Sequence, residues 1–154
     1  MRRVATLTVS AACLALAPTA PALTRTPVAV GGYSGHTEVG NPVSFRVTSN
    51  RKLVHFRWSG IRLTCTDGDT FTPNGRFDTG SKNGHLNRLT ITRLGGFDFF
   101  VTGFANRWDV HGRIRRRVAR GTIRVRADFD AQNNLDPNGP VHCDSGTLAF
   151  RALT

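Results

Sequence analysis

Hydrophobic and polar positions alternate along most of the chain. Val43, Phe45 and Val47 alternate with Ser44, Arg46 and Thr48, and Phe56 and Trp58 with His55 and Arg57. After Gly60 the series resumes at Ile61, Leu63 and Cys65. Farther on, Ile123, Val125, Ala127 and Phe129 alternate with Arg124, Arg126, Asp128 and Asp130. Leu148, Phe150 and Ala152 alternate with Ala149 and Arg151. A period of two over such spans predicts strands with one face buried. Turn formers stand between these runs: Gly40-Asn41-Pro42, Ser49-Asn50, Asp67-Gly68, Pro73-Asn74-Gly75, Asn83-Gly84, Gly95-Gly96 and Asp136-Pro137-Asn138-Gly139. No stretch carries a helical period. The expected fold is all-β and antiparallel, a β-sandwich or flattened up-and-down barrel of about 8–10 strands with one disulfide.

The first residues break this pattern. Met1-Arg2-Arg3 is positive, Val4 to Ala17 is uncharged and mostly apolar, and Ala20-Pro21-Ala22 has the A-x-A form of a cleavage site. That order predicts a secretory signal peptide over residues 1–22. The apolar run falls short of the ~20 residues of a membrane span. A short leader at 23–30 and a single β-domain at 31–154 follow. Cleavage leaves 154 − 22 = 132 residues, enough for one domain with a real core. The protein is therefore expected to be secreted, extracellular or in the cell envelope, with no membrane span after processing.

Removing the signal changes the cysteine arithmetic. Of Cys13, Cys65 and Cys143, only the last two remain, and an even count in an exported chain predicts a disulfide between them. Their Cα atoms should then lie about 4.4–6.8 Å apart. Neither cysteine belongs to a C-x-x-C pair, which argues against a metal site.

Charge adds one candidate surface. The formal net charge is +11, and the basic residues are nineteen arginines against two lysines. Seven of the arginines fall between Val110 and Asp128: Arg113, Arg115, Arg116, Arg117, Arg120, Arg124 and Arg126. With Ile114, Ile123 and Val125 turned inward, strand parity puts Arg113, Arg115, Arg124 and Arg126 on the solvent face of one hairpin. Arg116, Arg117 and Arg120 then sit in or near its turn. Guanidinium groups so clustered suit phosphate or carboxylate polymers. The arginine bias is chain-wide, so a merely solvated hairpin explains the same residues. Nucleic acid is not the expected partner, because neither stacking aromatics nor a groove-reading helix accompanies the arginines.

Three weaker signals remain. Phe97, Phe99 and Val101 take one face of a strand and Phe100 and Phe104 the other, as in a doubly buried strand or the wall of an apolar pocket. Asn134, Asp136 and Asn138 precede Gly139 in the manner of half a calcium loop, but Ser145 stands where the bidentate glutamate belongs, and a D-P-N-G turn explains them equally. The five histidines are scattered without metal spacing. No nucleophile motif supports catalysis, and no cofactor is implied.

Gly32-Tyr33-Ser34-Gly35-His36-Thr37, Val43-Ser44-Phe45-Arg46-Val47, Cys65, Ala119-Arg120-Gly121-Thr122-Ile123-Arg124-Val125 and Cys143-Asp144-Ser145-Gly146-Thr147 resemble the shared pattern of a group of small exported single-disulfide β-domains common in actinobacteria and their relatives. The match runs over about residues 31–153, with Phe150 where a tryptophan is usual. The resemblance implies an all-β fold and no known activity or catalytic residue. The loops around 94–109 and 130–141 look longer than the pattern requires, and such loops are where particular functions sit. The leading expectation is a non-catalytic exported cell-surface or extracellular module contacting anionic envelope polymer. The alternatives are a small apolar-ligand-binding β-barrel and a secreted hydrolase.

Overall fold

A computed structural model describes residues 27–77 and 89–154. The expected signal peptide, residues 23–26 of the leader and the Asn83-Gly84 turn lie outside the described residues. Ten strands follow in chain order: β1 (Gly31–Thr37), β2 (Pro42–Val47), β3 (Leu53–Trp58), β4 (Leu63–Cys65), β5 (Thr70–Phe71), β6 (Gly75–Phe77), β7 (Gly96–Thr102), β8 (Asn106–Arg115), β9 (Val118–Phe129) and β10 (Val141–Leu153). All pairings between them are antiparallel, and among the described residues there is no helix.

The strands form one sheet in the order β6-β3-β2-β1-β10-β9-β8-β7, curled into a half-barrel. The expected all-β antiparallel fold of about 8–10 strands is thus borne out, as a single curled sheet. Its concave face holds the alternating hydrophobic positions: Val43, Phe45, Val47, Phe56, Trp58, Ile61, Leu63, Ile123, Val125, Ala127, Phe129, Phe150 and Ala152 are all buried. Aromatic rings fill much of that interior. Tyr33 stacks on Phe45 at 4.9 Å, Phe56 meets Phe99 edge-on at 5.3 Å, and Trp58 meets Trp108 edge-on at 5.4 Å. Aromatic pairs in these geometries contribute about 0.5–1.5 kcal/mol beyond their buried area.

Strand β10 organises the sheet. One edge pairs with β9 along its whole length, and the other is shared between β1 and β4. The β9 pairing shifts register between Asp144 and Thr147, where Gly146 takes φ 67°. At this bulge the Ser145 hydroxyl accepts the N–H of Val125 at 2.9 Å, standing in for the missing ladder carbonyl. Near the other end, Gly35 lies so close to β10 that a Cβ on it would sit 1.9 Å from the Arg151 carbonyl oxygen.

The expected disulfide joins Cys65 of β4 to Cys143 of β10. The two residues are direct cross-strand partners, which brings their Cα atoms to 3.9 Å, closer than the expected span. No helix among the described residues is long and apolar enough to cross a membrane. A disulfide is compatible with an extracellular location.

Candidate functional site

The arginine-rich segment forms the β8–β9 hairpin. Arg115 pairs with Val118, so Arg116 and Arg117 make a two-residue turn. Arg116 adopts φ 56°, a conformation that such turns usually give to glycine. That geometry costs a non-glycine residue on the order of 1 kcal/mol and persists only where its surroundings enforce it. Here the chain on either side clamps it. The Arg116 N–H donates to the Pro27 carbonyl at 2.8 Å, and its own carbonyl accepts the Ala29 N–H at 2.9 Å. The Arg117 carbonyl accepts the Thr154 N–H at 3.2 Å. The Tyr33 hydroxyl lies 2.9 Å from the Ala29 carbonyl oxygen and 3.2 Å from that of Arg116. Burial pushes the Tyr33 phenol above its usual range, and its hydrogen bond to Ala29 opposes this.

Strand parity places Arg113, Arg115 and Arg124 on the exposed outer face, with Arg126 half-buried beside them. Register then divides the cluster. Arg124 donates to both carboxylate oxygens of Asp144, and Arg126 pairs with Asp109. Arg107 sends its Nε and one terminal nitrogen to Asp109 at 2.9 and 2.8 Å. Burial acts to raise the Asp109 carboxyl, but the hydrogen bonds and charges of Arg107 and Arg126 together hold it below the usual carboxylate range. The Arg124 hydrogen bond holds Asp144 below that range in turn, against a smaller effect of burial. Arg124 and Arg126 are therefore largely neutralised.

The remaining arginines are not. Arg120 lies within β9, directly opposite Arg113 of β8. On its other side Arg120 faces Arg151 of β10, and Arg151 faces His36 of β1. Arg113, Arg120 and Arg151 thus form a ladder across three adjacent strands, about 4.8 Å apart per step, with His36 continuing the row. All four are exposed. None of the three arginines has an ion-pair partner among the described residues. The nearby acids are engaged elsewhere: Asp98 holds His111 at 3.0 Å, and Glu38 accepts the Ala149 N–H at 2.9 Å. Arg115, Arg116 and Arg117 extend the same unpaired charge to the hairpin tip. Arg151 was not among the candidate residues. Its outward parity is readable in the β10 pattern, but its neighbour on β9 is not.

The other candidates separate. Phe97 and Phe99 are in the packed core, while Phe100 (52% exposed) and Phe104 (77% exposed) are on the outside, so the four do not line one cavity. Phe100 lies under the Arg107 guanidinium, 5.0 Å from ring centre to Cζ. In the 130–141 loop, Asp130 accepts the Asn134 N–H at 2.8 Å, and this bond is the main cause of a lowered Asp130 carboxyl pKa. Asp136 accepts the Asn138 N–H at 2.9 Å. Asn134, Asp136 and Asn138 thus shape turns. Among the described residues no group of three or more His, Cys, Asp or Glu side chains converges on a metal position. His142 Nδ1 lies 2.7 Å from Asp128 Oδ1, but no hydroxyl or thiol of a described residue is hydrogen-bonded to its other ring nitrogen.

An arrangement of this kind can attract and bridge anionic groups spaced along a polymer. No protein-family model, curated protein or solved structure matches the chain, so the fold and this ladder stand on the chain's own geometry.

Proposed function

We propose that this protein is a secreted, non-catalytic β-domain that contacts an anionic polymer of the cell envelope through the Arg113–Arg120–Arg151 ladder. The observation that carries the reading is the ladder itself: three guanidiniums in one row, exposed, with no carboxylate spent on them among the described residues. A row of like charges on adjacent strands is unfavourable for folding, and a polyanion relieves that repulsion. Guanidinium forks match phosphate and carboxylate groups. The signal-like N-terminus and the disulfide support export. The glycine, cysteine and aromatic pattern supports membership of the small actinobacterial single-disulfide group.

Retention on immobilised polyphosphate and on alginate tests the reading. Binding should fall steeply as salt rises. Replacing Arg113, Arg120 and Arg151 together with serine should remove most of the affinity. The Arg124→Ser/Arg126→Ser pair, whose charges are already compensated, should leave most of it. A triple variant that binds like the parent would overturn the assignment.

A further inference from the structure

A second surface lies on the outer face, away from the ladder. The β7–β8 turn and the loop before β10 flank a groove of about 450 Å³, whose walls include Phe104, Asn106, Arg107, Arg126, Asp128 and His142. Its parts are held in place. The Gly103 N–H donates to the Asn106 carbonyl at 2.8 Å, closing the turn, and the Ala105 carbonyl accepts the Asp128 N–H at 2.8 Å, fastening the turn to β9. Gly103 leaves room for the Asn106 amide, since a Cβ there would sit 2.2 Å from its oxygen. Arg107 and Arg126 are fixed by Asp109, and His142 by Asp128. Cys143 lines the base, anchored by the disulfide.

Two features single this groove out. Its ionic groups balance: Arg107 and Arg126 line it together with Asp128 and Asp144. A balanced groove gives no net attraction to a polyanion, while it offers donors and acceptors side by side. The second feature is Phe104, at 77% the most exposed of the large hydrophobic residues described, standing at the tip of the turn on the rim. A pinned turn presents its ring to solvent at little further cost in conformational freedom. In addition, the Arg126 Nε is buried and has no acceptor among the described residues.

We propose that this groove binds a neutral sugar ring of a polysaccharide. The C–H face of the ring stacks on Phe104, and its hydroxyls bond to Asn106, Asp128 and His142. Planar amide, carboxylate and imidazole groups suit paired hydroxyls, each of which donates and accepts. The site is independent of the polyanion reading, because it shares no residue with the ladder.

Saturation-transfer NMR with cellohexaose, maltohexaose and the N-acetylglucosamine hexamer, at about 0.5 M sodium chloride to screen the arginines, tests it. At least one hexasaccharide should bind. Phe104→Ala should weaken that binding roughly tenfold, a loss of ~1.4 kcal/mol, and Phe104→Trp should restore or improve it. Because Phe104 is exposed, both variants should keep the parent's thermal midpoint. Arg120→Ser should bind the sugar as the parent does. Absence of binding by all three probes at about 5 mM, where even a Kd in the millimolar range is visible, overturns the proposal. So does undiminished binding by Phe104→Ala, or loss of sugar binding in Arg120→Ser.

Discussion

Arg120 is the middle rung of the ladder, and removing its charge should make the protein more stable. Guanidinium groups on neighbouring strands, splayed to roughly 6 Å, repel by about 0.7 kcal/mol in water before screening. At about 0.01 M salt the Debye length is ~30 Å, and about 0.6 kcal/mol per neighbour survives. Arg120 has two arginine neighbours, Arg113 and Arg151, whereas each of those has Arg120 alone. Arg120→Gln should therefore gain about 1.2 kcal/mol at low salt, and Arg113→Gln about half as much. For a domain of this size the Arg120→Gln gain corresponds to a midpoint rise of about 3–5 °C. At ~1 M salt the Debye length is ~3 Å, and the repulsive part of the gain should fall to about 0.2 kcal/mol. Shortening the side chain also forfeits packing of its aliphatic stem, but that loss does not depend on salt. Calorimetric melts of the parent, Arg113→Gln, Arg120→Gln and Arg151→Gln at both salt concentrations isolate the electrostatic part. Equal salt-dependent shifts for all three variants, or no salt dependence for Arg120→Gln, would show that the rungs do not interact.

Replacing Cys65 and Cys143 with alanine opens a loop with a sequence separation of 78 and should cost roughly 4 kcal/mol on the chain-entropy view, seen as a lower denaturant midpoint. Gly35→Ala should destabilise by about 1–3 kcal/mol or more, since its Cβ meets the Arg151 carbonyl; a variant as stable as the parent would mean that β1 and β10 are not so closely joined. In acid, Asp144 should contribute to unfolding. Its folded pKa is depressed, so its stabilisation is present above the unfolded value of about 3.9 and is lost as pH falls through the folded pKa. Arg124→Met should flatten this acid limb of the stability curve, and an unchanged limb would remove the pair from the account.

Strand parity was legible in the sequence because side chains alternate whatever the partner strand. Thus the inward set from Val43 to Ala152 and the outward Arg113, Arg115 and Arg124 follow from local pattern alone. Register is not local. Nothing near Arg120 indicates that Arg113 faces it across one ladder and Arg151 across the other. The same gap concealed the compensation of Arg124 and Arg126: Asp109 stands opposite Arg124 yet pairs with Arg126, and Asp144 stands opposite Arg126 yet pairs with Arg124. The curl of the sheet was also unreadable, since it arises from twist accumulated over many strands. The phenylalanine run was resolved by neighbours: β8 covers one edge of β7, and the core receives Phe97 and Phe99.

The sharing of β10 has a consequence for when the chain can fold. It is the last of the ten described strands in chain order, yet β1, β4 and β9 all take it as a neighbour. Until residues 141–153 emerge, β1 and β9 each lack one strand partner, and no ladder between the ten described strands links the two halves of the sheet. Cys65 likewise waits for Cys143. The two halves therefore cannot close into one sheet until β10 has been made. For the exported protein proposed here, that delay suits passage through a narrow translocation pore, with sheet closure and oxidation both completed on the far side.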